Sequence, residues 1–111
     1  MSLKEQMKQG LLYCEFGHAS AEDQEYEKLI EHQRVHCKEM MFDYNQTRPS
    51  DTEKKQAILR ELLAEAGEHI WIESPCNMAY GCNTHIGENF YANFNLVIVD
   101  DVEVFIGDNV M

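Results

Sequence analysis

The sequence is short of positive charge. Nine Lys and Arg stand against 20 Asp and Glu, for a formal net charge of −11 over 111 residues. Such a chain repels phosphate backbones and anionic lipid, which argues against nucleic-acid binding and against adhesion to a membrane. No apolar run approaches the roughly 20 residues needed to cross a bilayer. The first ten residues lack the apolar stretch of a secretion signal. The expected location is therefore cytoplasmic, where the four cysteines (Cys14, Cys37, Cys76 and Cys82) fit reduced thiols better than a disulfide framework. What is present suffices for a core: 44% of residues are apolar, which excludes wholesale disorder. The length allows one ordinary domain with an appendage.

The texture changes near Gly67. Before it, helical patterns dominate. Leu3, Met7 and Leu11 recur at four-residue spacing and predict a short first helix. Ser20 reads as an N-cap, with Glu22 and Asp23 placing acid in the first turn. Tyr26, Leu29, Ile30, Gln33, Cys37, Met40, Met41 and Tyr44 then fall mostly on one face, so the two methionines read as packing residues. Arg48, preceding Pro49, is pushed away from the helical region and closes that helix. Ser50-Asp51-Thr52-Glu53 reads as a capping box with Ser50 as N-cap. Ile58, Leu59, Leu62 and Leu63 form the apolar stripe of the third helix, and Gly67 suits a left-handed C′ position.

After Gly67, short apolar pieces (Ile70–Ile72, Leu96–Val99, Val102–Ile106) alternate with Gly, Asn, Asp and Pro75, and β-branched residues are frequent. Ile86-Gly87-Glu88-Asn89-Phe90-Tyr91 returns as Ile106-Gly107-Asp108-Asn109-Val110-Met111. Each copy reads as one flat side, about six residues long, of a left-handed parallel β-helix. A full turn takes about 18 residues, and the copies lie 20 apart, so a bulge or loop of about two residues is expected between them. The helices can cover the first coil. The chain then stops on a strand with no further rung, which suggests the front part of a longer protein.

The runs Gly67–Pro75, Tyr80–Asn95, Asp100-Asp101 and Ile106–Val110 resemble the maltose and galactoside O-acetyltransferases, which are hexapeptide-repeat enzymes. Gly10–Tyr13, Tyr44-Asn45 and the Ser50–Ala66 helix are similar to the helical cap of that family. The resemblance implies a mixed α and β fold: an N-terminal helical cap over residues 1–66, then the first coils of a left-handed parallel β-helix over residues 67–111. It further implies a homotrimer that transfers acetyl from acetyl-CoA to a hydroxyl of a sugar or glycoside, without a metal, in clefts between subunits. By matching position, Tyr91, Asn93 and Asp101 would line the acceptor pocket. Glu15 would stand where the galactoside enzymes carry an acceptor-binding Asp, and Ala79 where they carry a Ser. The family's catalytic base, a His followed by Pro, falls beyond Met111, as do most of the CoA-binding coils. None of the five histidines (His18, His32, His36, His69, His85) precedes a proline.

The chemistry explains why those residue types matter. A sugar hydroxyl is too weak an acid to attack a thioester unaided, and a positioned base contributes roughly 10²–10⁴ in rate. Asp101 is suited to orient hydroxyls as a charged acceptor. Asn93 offers both donor and acceptor, and Tyr91 can stack on a sugar face. Each has a plainer role as well: Asn and Asp at corners are commonly turn residues, and Tyr91 can simply fill space. His32 and His36 have a metal-binding helical spacing, but only Cys37 is near as a third ligand. Cys76, Cys82 and His85 lack paired zinc spacing. His85 as a substitute base competes with a packed or turn histidine. The absent base, and the lack of a basic cluster for CoA, also admit a second reading: a non-catalytic fragment that binds sugar or supports oligomerisation.

Overall fold

The structure, a computed structural model, describes residues 1–111. Three helices come first: α1 Leu3–Lys8, α2 Ala21–Gln46 and α3 Thr52–Leu62. None is long and apolar enough to cross a membrane. Ser20 caps α2 as expected, its side chain accepting from the Asp23 amide. The face expected to pack does so through Ile30, Cys37, Met41 and Tyr44, whereas Leu29 is exposed. Leu11 lies outside α1 and is also exposed. The N-cap of α3 is Asp51 rather than Ser50. The Asp51 amide is tied back to the Arg48 carbonyl at 2.9 Å, which leaves Ser50 inside a turn and makes Asp51 the half-helical residue. Gly67 is not a helix terminator either. Helix α3 stops at Leu62, because Leu63 turns extended and buries its side chain while the Ala64 amide reaches the Thr84 carbonyl.

Seven short strands follow: β1 Glu65–Ala66, β2 Ile70–Ile72, β3 Cys76–Met78, β4 Thr84–Ile86, β5 Phe90–Ala92, β6 Leu96–Ile98 and β7 Val104–Ile106. They pair in parallel as β1-β4-β7, β2-β5 and β3-β6, every partner lying 20 residues away, as in Ile70 with Phe90 or Ile86 with Ile106. The chain thus winds as a three-sided coil. Strands β2 to β7 start at residues 70, 76, 84, 90, 96 and 104, so two sides of each turn take six residues and the third takes eight. The two extra residues expected from the repeat sit in the corners between β3 and β4 and between β6 and β7. Alternation of side chains puts Ile70, Ile72, Cys76, Met78, Ile86, Phe90 and Ile98 inside, continuous with Tyr44, Met41 and the α3 stripe in one core.

The corners follow from local chemistry. Asn89, Asn95 and Asn109 adopt φ of 58°, 69° and 59°, a region that Asn tolerates better than most residues. Acidic side chains one turn apart tie successive corners together: Glu88 accepts from the Glu68 amide and Asp108 from the Glu88 amide. Gly67 lies against the next turn so closely that a Cβ would stand 2.4 Å from the Gly87 carbonyl oxygen.

The helices satisfy the outer edge of the first coil. Arg60 donates to the carbonyls of Ala66, Gly67 and Glu68, Gln56 to that of Ile70, and Tyr44 to that of Ile72. The Asn45 amide both donates to the Cys76 carbonyl and accepts from the Cys76 N–H at 2.9 Å, imitating a neighbouring strand. The Cys37 thiol reaches the Met78 carbonyl.

Gly67→Ala meets backbone and should lower unfolding free energy by about 1–3 kcal/mol. Gly107→Ala, with nothing within 4 Å of the new methyl, should stay within about 0.5 kcal/mol. Urea denaturation of both variants checks the pair, and equal midpoints would contradict the stacking.

Candidate functional site

The enlarged corners, residues 79–83 and 99–103, build the polar part of the molecule. Asp100 is fully buried, and both carboxylate oxygens are engaged: Oδ1 accepts from the Tyr80 amide at 2.7 Å and Oδ2 from the Thr84 hydroxyl at 2.9 Å. The Asp100 carbonyl accepts from Asn83 Nδ2. A charge buried this deeply persists only when its lone pairs are met, so Asp100 locks the corner of one turn onto the corner of the turn before. Its neighbour Asp101 is only partly buried.

The segment between α1 and α2 closes over this corner. The Tyr13 hydroxyl donates to Asp101 Oδ2 at 2.5 Å. Burial, then the Asp101 hydrogen bond, hold the Tyr13 phenol well above its ordinary ionisation range, so it acts as a neutral donor. Glu15 lies 3.5 Å from Arg34 Nη1, which also donates to the Tyr80 hydroxyl at 2.8 Å. Tyr80 is buried among Leu3, Met7 and Ile30, with Tyr13, Ala79 and Cys82 packed against them. Glu15–Arg34–Tyr80 and Tyr13–Asp101 are two separate sets of polar contacts, and they meet where Tyr13 packs against the cluster that holds Tyr80. Ala79, half-buried in that cluster, contributes no polar group.

Tyr91 and Asn93 are not part of either set. Tyr91 points outward from the middle of β5, and Asn93 sits at the next corner, where its Oδ1 accepts from the Phe94 amide at 2.9 Å. Together with Phe90, Phe94, Leu96 and Met111 they border a mostly apolar hollow of about 460 Å³. Tyr91 also touches a larger hollow, about 630 Å³, beneath α3 and lined by Gln56, Arg60, His69 and Trp71. Within one chain, the four residues singled out in the sequence therefore fall into two groups.

Three of the remaining reactive side chains, His85, Cys37 and Cys76, are occupied or blunted, whereas Cys14 is a free and exposed thiol. His85 Nδ1 lies 2.8 Å from Glu65 and Nε2 2.7 Å from Glu103, with the ring stacked on Phe105 at 4.3 Å. The hydrogen bonds to Glu103 and then Glu65 raise its pKa, which favours the imidazolium. His85 is a staple across three turns, not a free base. Cys37 and Cys76 are free thiols, pushed up to about 12 chiefly by burial, so neither is a ready nucleophile. His32 and His36 are exposed or partly so, without a third ligand beside them. Asp100, Tyr13, Arg34 and Tyr80 escape a sequence reading. Tyr13 and Tyr80 stand in runs that resemble the family, Asp100 stands beside a singled-out residue, and nothing local distinguishes Arg34.

Comparison with known proteins follows the same lines. Residues 6–67 match the family model described as the maltose acetyltransferase hexapeptide capping motif. A galactoside O-acetyltransferase of Escherichia coli (strain K12) is 50% identical over 78 residues, covering 70% of this chain and 38% of that protein. Among solved structures, a galactoside acetyltransferase in complex with coenzyme A superposes with a TM-score of 0.86 at 39% identity, over 100% of this chain and 50% of the other. A maltose O-acetyltransferase from Clostridium difficile 630 gives 0.82 at 36% identity, over 100% and 54%. The chain spans about half the length of these relatives or less.

The His85 staple has a signed pH dependence. Below about pH 6.5 the imidazole is protonated both folded and unfolded, and its pairing with Glu65 and Glu103 is fully present. As pH rises through the raised folded pKa, that contribution is lost. Melting temperature should therefore fall from pH 6 toward pH 9, and His85→Gln should flatten the slope. An identical slope in the variant would exclude the staple as its source.

Proposed function

The chain belongs to the maltose and galactoside acetyltransferase family, matching its N-terminal portion, and from that premise we propose that it is the acceptor-binding part of an acetyl-CoA-dependent sugar O-acetyltransferase. In this reading the coil is left-handed, residues 1–66 form its cap and residues 67–111 its first turns, and the protein works in the cytoplasm. The coenzyme A bound by a structural relative supports acetyl-CoA as the donor. The observation that carries the reading is the Tyr13–Asp101 hydrogen bond, made where Tyr13 packs against the cluster of Tyr80, whose hydroxyl accepts from the Arg34 that pairs with Glu15.

These groups suit a polyol. Carboxylates accept from sugar hydroxyls as charged acceptors, and a guanidinium or phenol donates in return. Tyr91 and Asn93 add an aromatic face and an amide on another side of the same coil. In a homotrimer with acceptor clefts between subunits, the two groups would meet only if the Tyr91–Asn93 side of one copy packed beside the Asp101 corner of another. His85 lies between the Glu65 and Glu103 carboxylates, and His18 Nδ1 is 3.3 Å from that of Glu27. The work of the acceptor-site residues is to bind and orient the hydroxyl that becomes the nucleophile. Orientation of that kind lowers the barrier without any proton transfer.

A second reading keeps the binding and drops the chemistry: a non-catalytic piece that holds sugar or supports oligomerisation. The occupation of both His85 nitrogens favours it.

One experiment separates the two. The protein is mixed with acetyl-CoA and a panel of galactosides, glucosides and maltose, free CoA thiol is followed, and glycoside binding is titrated in parallel. Thiol release that depends on sugar supports the transferase. Glycoside binding without release supports the second reading, and absence of both rejects the acceptor site.

A further inference from the structure

The segment that joins α1 to α2 has no regular structure, yet it is fastened at several points. The amides of Gly17 and His18 donate to the Glu27 carboxylate, Glu15 pairs with Arg34, and Tyr13 bonds Asp101 across 88 positions of sequence. The Tyr13 ring packs against Leu3, Met7 and Ile30 and their neighbours. Its hydroxyl alone reaches past this apolar cluster to the carboxylate, so a phenyl ring would fill the same space. Packing therefore does not account for the oxygen.

That oxygen changes what Asp101 can offer. A carboxylate has about four lone-pair positions over two oxygens. A phenol donating to Oδ2 at 2.5 Å takes one of them, restrains rotation of the group, and leaves the phenol oxygen free to accept from the same ligand. We propose that Tyr13 is a specificity-determining positioning residue of the acceptor site, one that selects among glycosides by restricting which hydroxyls Asp101 can receive. The inference rests on the acceptor-site reading above and deepens it. With the phenol in place, Asp101 presents mainly Oδ1, which suits a sugar that donates one hydroxyl to the carboxylate and a second to the phenol oxygen. Without it, the carboxylate turns freely and can take two adjacent hydroxyls itself.

The test is a double-mutant cycle on glycoside binding by the 111-residue protein, using wild type, Tyr13→Phe, Asp101→Asn and the double variant against galactosides, glucosides and maltose. Tyr13→Phe should fold as wild type by circular dichroism and should change the ratio of dissociation constants between the best and worst glycosides by about tenfold, the scale of one charged hydrogen bond. In the Asp101→Asn background the same substitution should leave that ratio unchanged. A spectroscopic reading checks the bond without sugar: in alkaline titration, Asp101→Asn should bring one late-ionising tyrosine earlier, while Tyr44, also raised and chiefly by burial, stays late. A uniform change across the panel, or a Tyr13→Phe effect that persists once Asp101→Asn has removed the charged acceptor, overturns the proposal. Wild type that binds glycosides with ratios of dissociation constants that Tyr13→Phe does not alter defeats the Tyr13 role alone. Wild type that binds none defeats the acceptor site and the Tyr13 role together.

Discussion

Every parallel coil has a first rung whose outer edge faces no strand, and here the fold depends on how that edge is covered. A row of unpaired backbone groups would invite other chains to add strands and would leave buried carbonyls without partners. The helices answer with side chains, not with another strand. Arg60, Gln56, Tyr44, Asn45 and Cys37 between them reach the carbonyls of Ala66, Gly67, Glu68, Ile70, Ile72, Cys76 and Met78. A buried carbonyl left unmet costs about 1–3 kcal/mol, so this set of contacts decides where α2 and α3 lie as firmly as the apolar stripe beneath them does. The two effects agree. Tyr44 and Cys37 belong to the core and to the edge at once.

Fixing the first rung fixes the phase of every later one. Successive turns repeat at 20 residues on all three sides, so a cap seated on the first turn also determines where the corner of the second turn emerges. That corner carries Asp100 and Asp101. Asp100 turns inward and consumes its charge on the Tyr80 amide and the Thr84 hydroxyl, and Asp101 is left half-exposed toward the segment after α1. The candidate site is thus assembled from pieces far apart in sequence, joined because the same buried Tyr80 packs on α1 and α2 and donates its amide to Asp100.

Much of this was legible beforehand because it is periodic. The return of Ile86–Tyr91 as Ile106–Met111 fixed the repeat length, and its excess over a regular turn required an enlarged corner. The apolar stripe of α3 was visible as Ile58, Leu59, Leu62 and Leu63, all of which are buried. What was not legible is set by non-local competition. Ser50 and Asp51 are both good caps, and only the turn closed by the Arg48 carbonyl selects Asp51. Gly67 looks like a helix end until the next turn is seen to press against it. Leu29 has the right phase for the core but no element covers it. The same limit applies to the site. A residue-by-residue resemblance could name Glu15, Tyr91, Asn93 and Asp101, but it could not say that Tyr13 bonds Asp101, that Arg34 pairs with Glu15, or that the other two face elsewhere.

The chemistry left to this chain follows from what its reactive groups have already spent themselves on. The thiols of Cys37 and Cys76 sit at about 12 because charging them would require desolvated sulfur. His85 lies between two carboxylates that raise its pKa, and Lys55 is buried with its ammonium on the Ser74 hydroxyl and near the Tyr44 and Trp71 rings. Each stabilises a contact between turns or between cap and coil. Glu15, Asp101 and the outward faces at Tyr91 and Asn93 are polar groups with hydrogen-bonding capacity to spare. Groups of that kind contribute to a reaction by holding a hydroxyl in place, which is the role the proposed acceptor site asks of them.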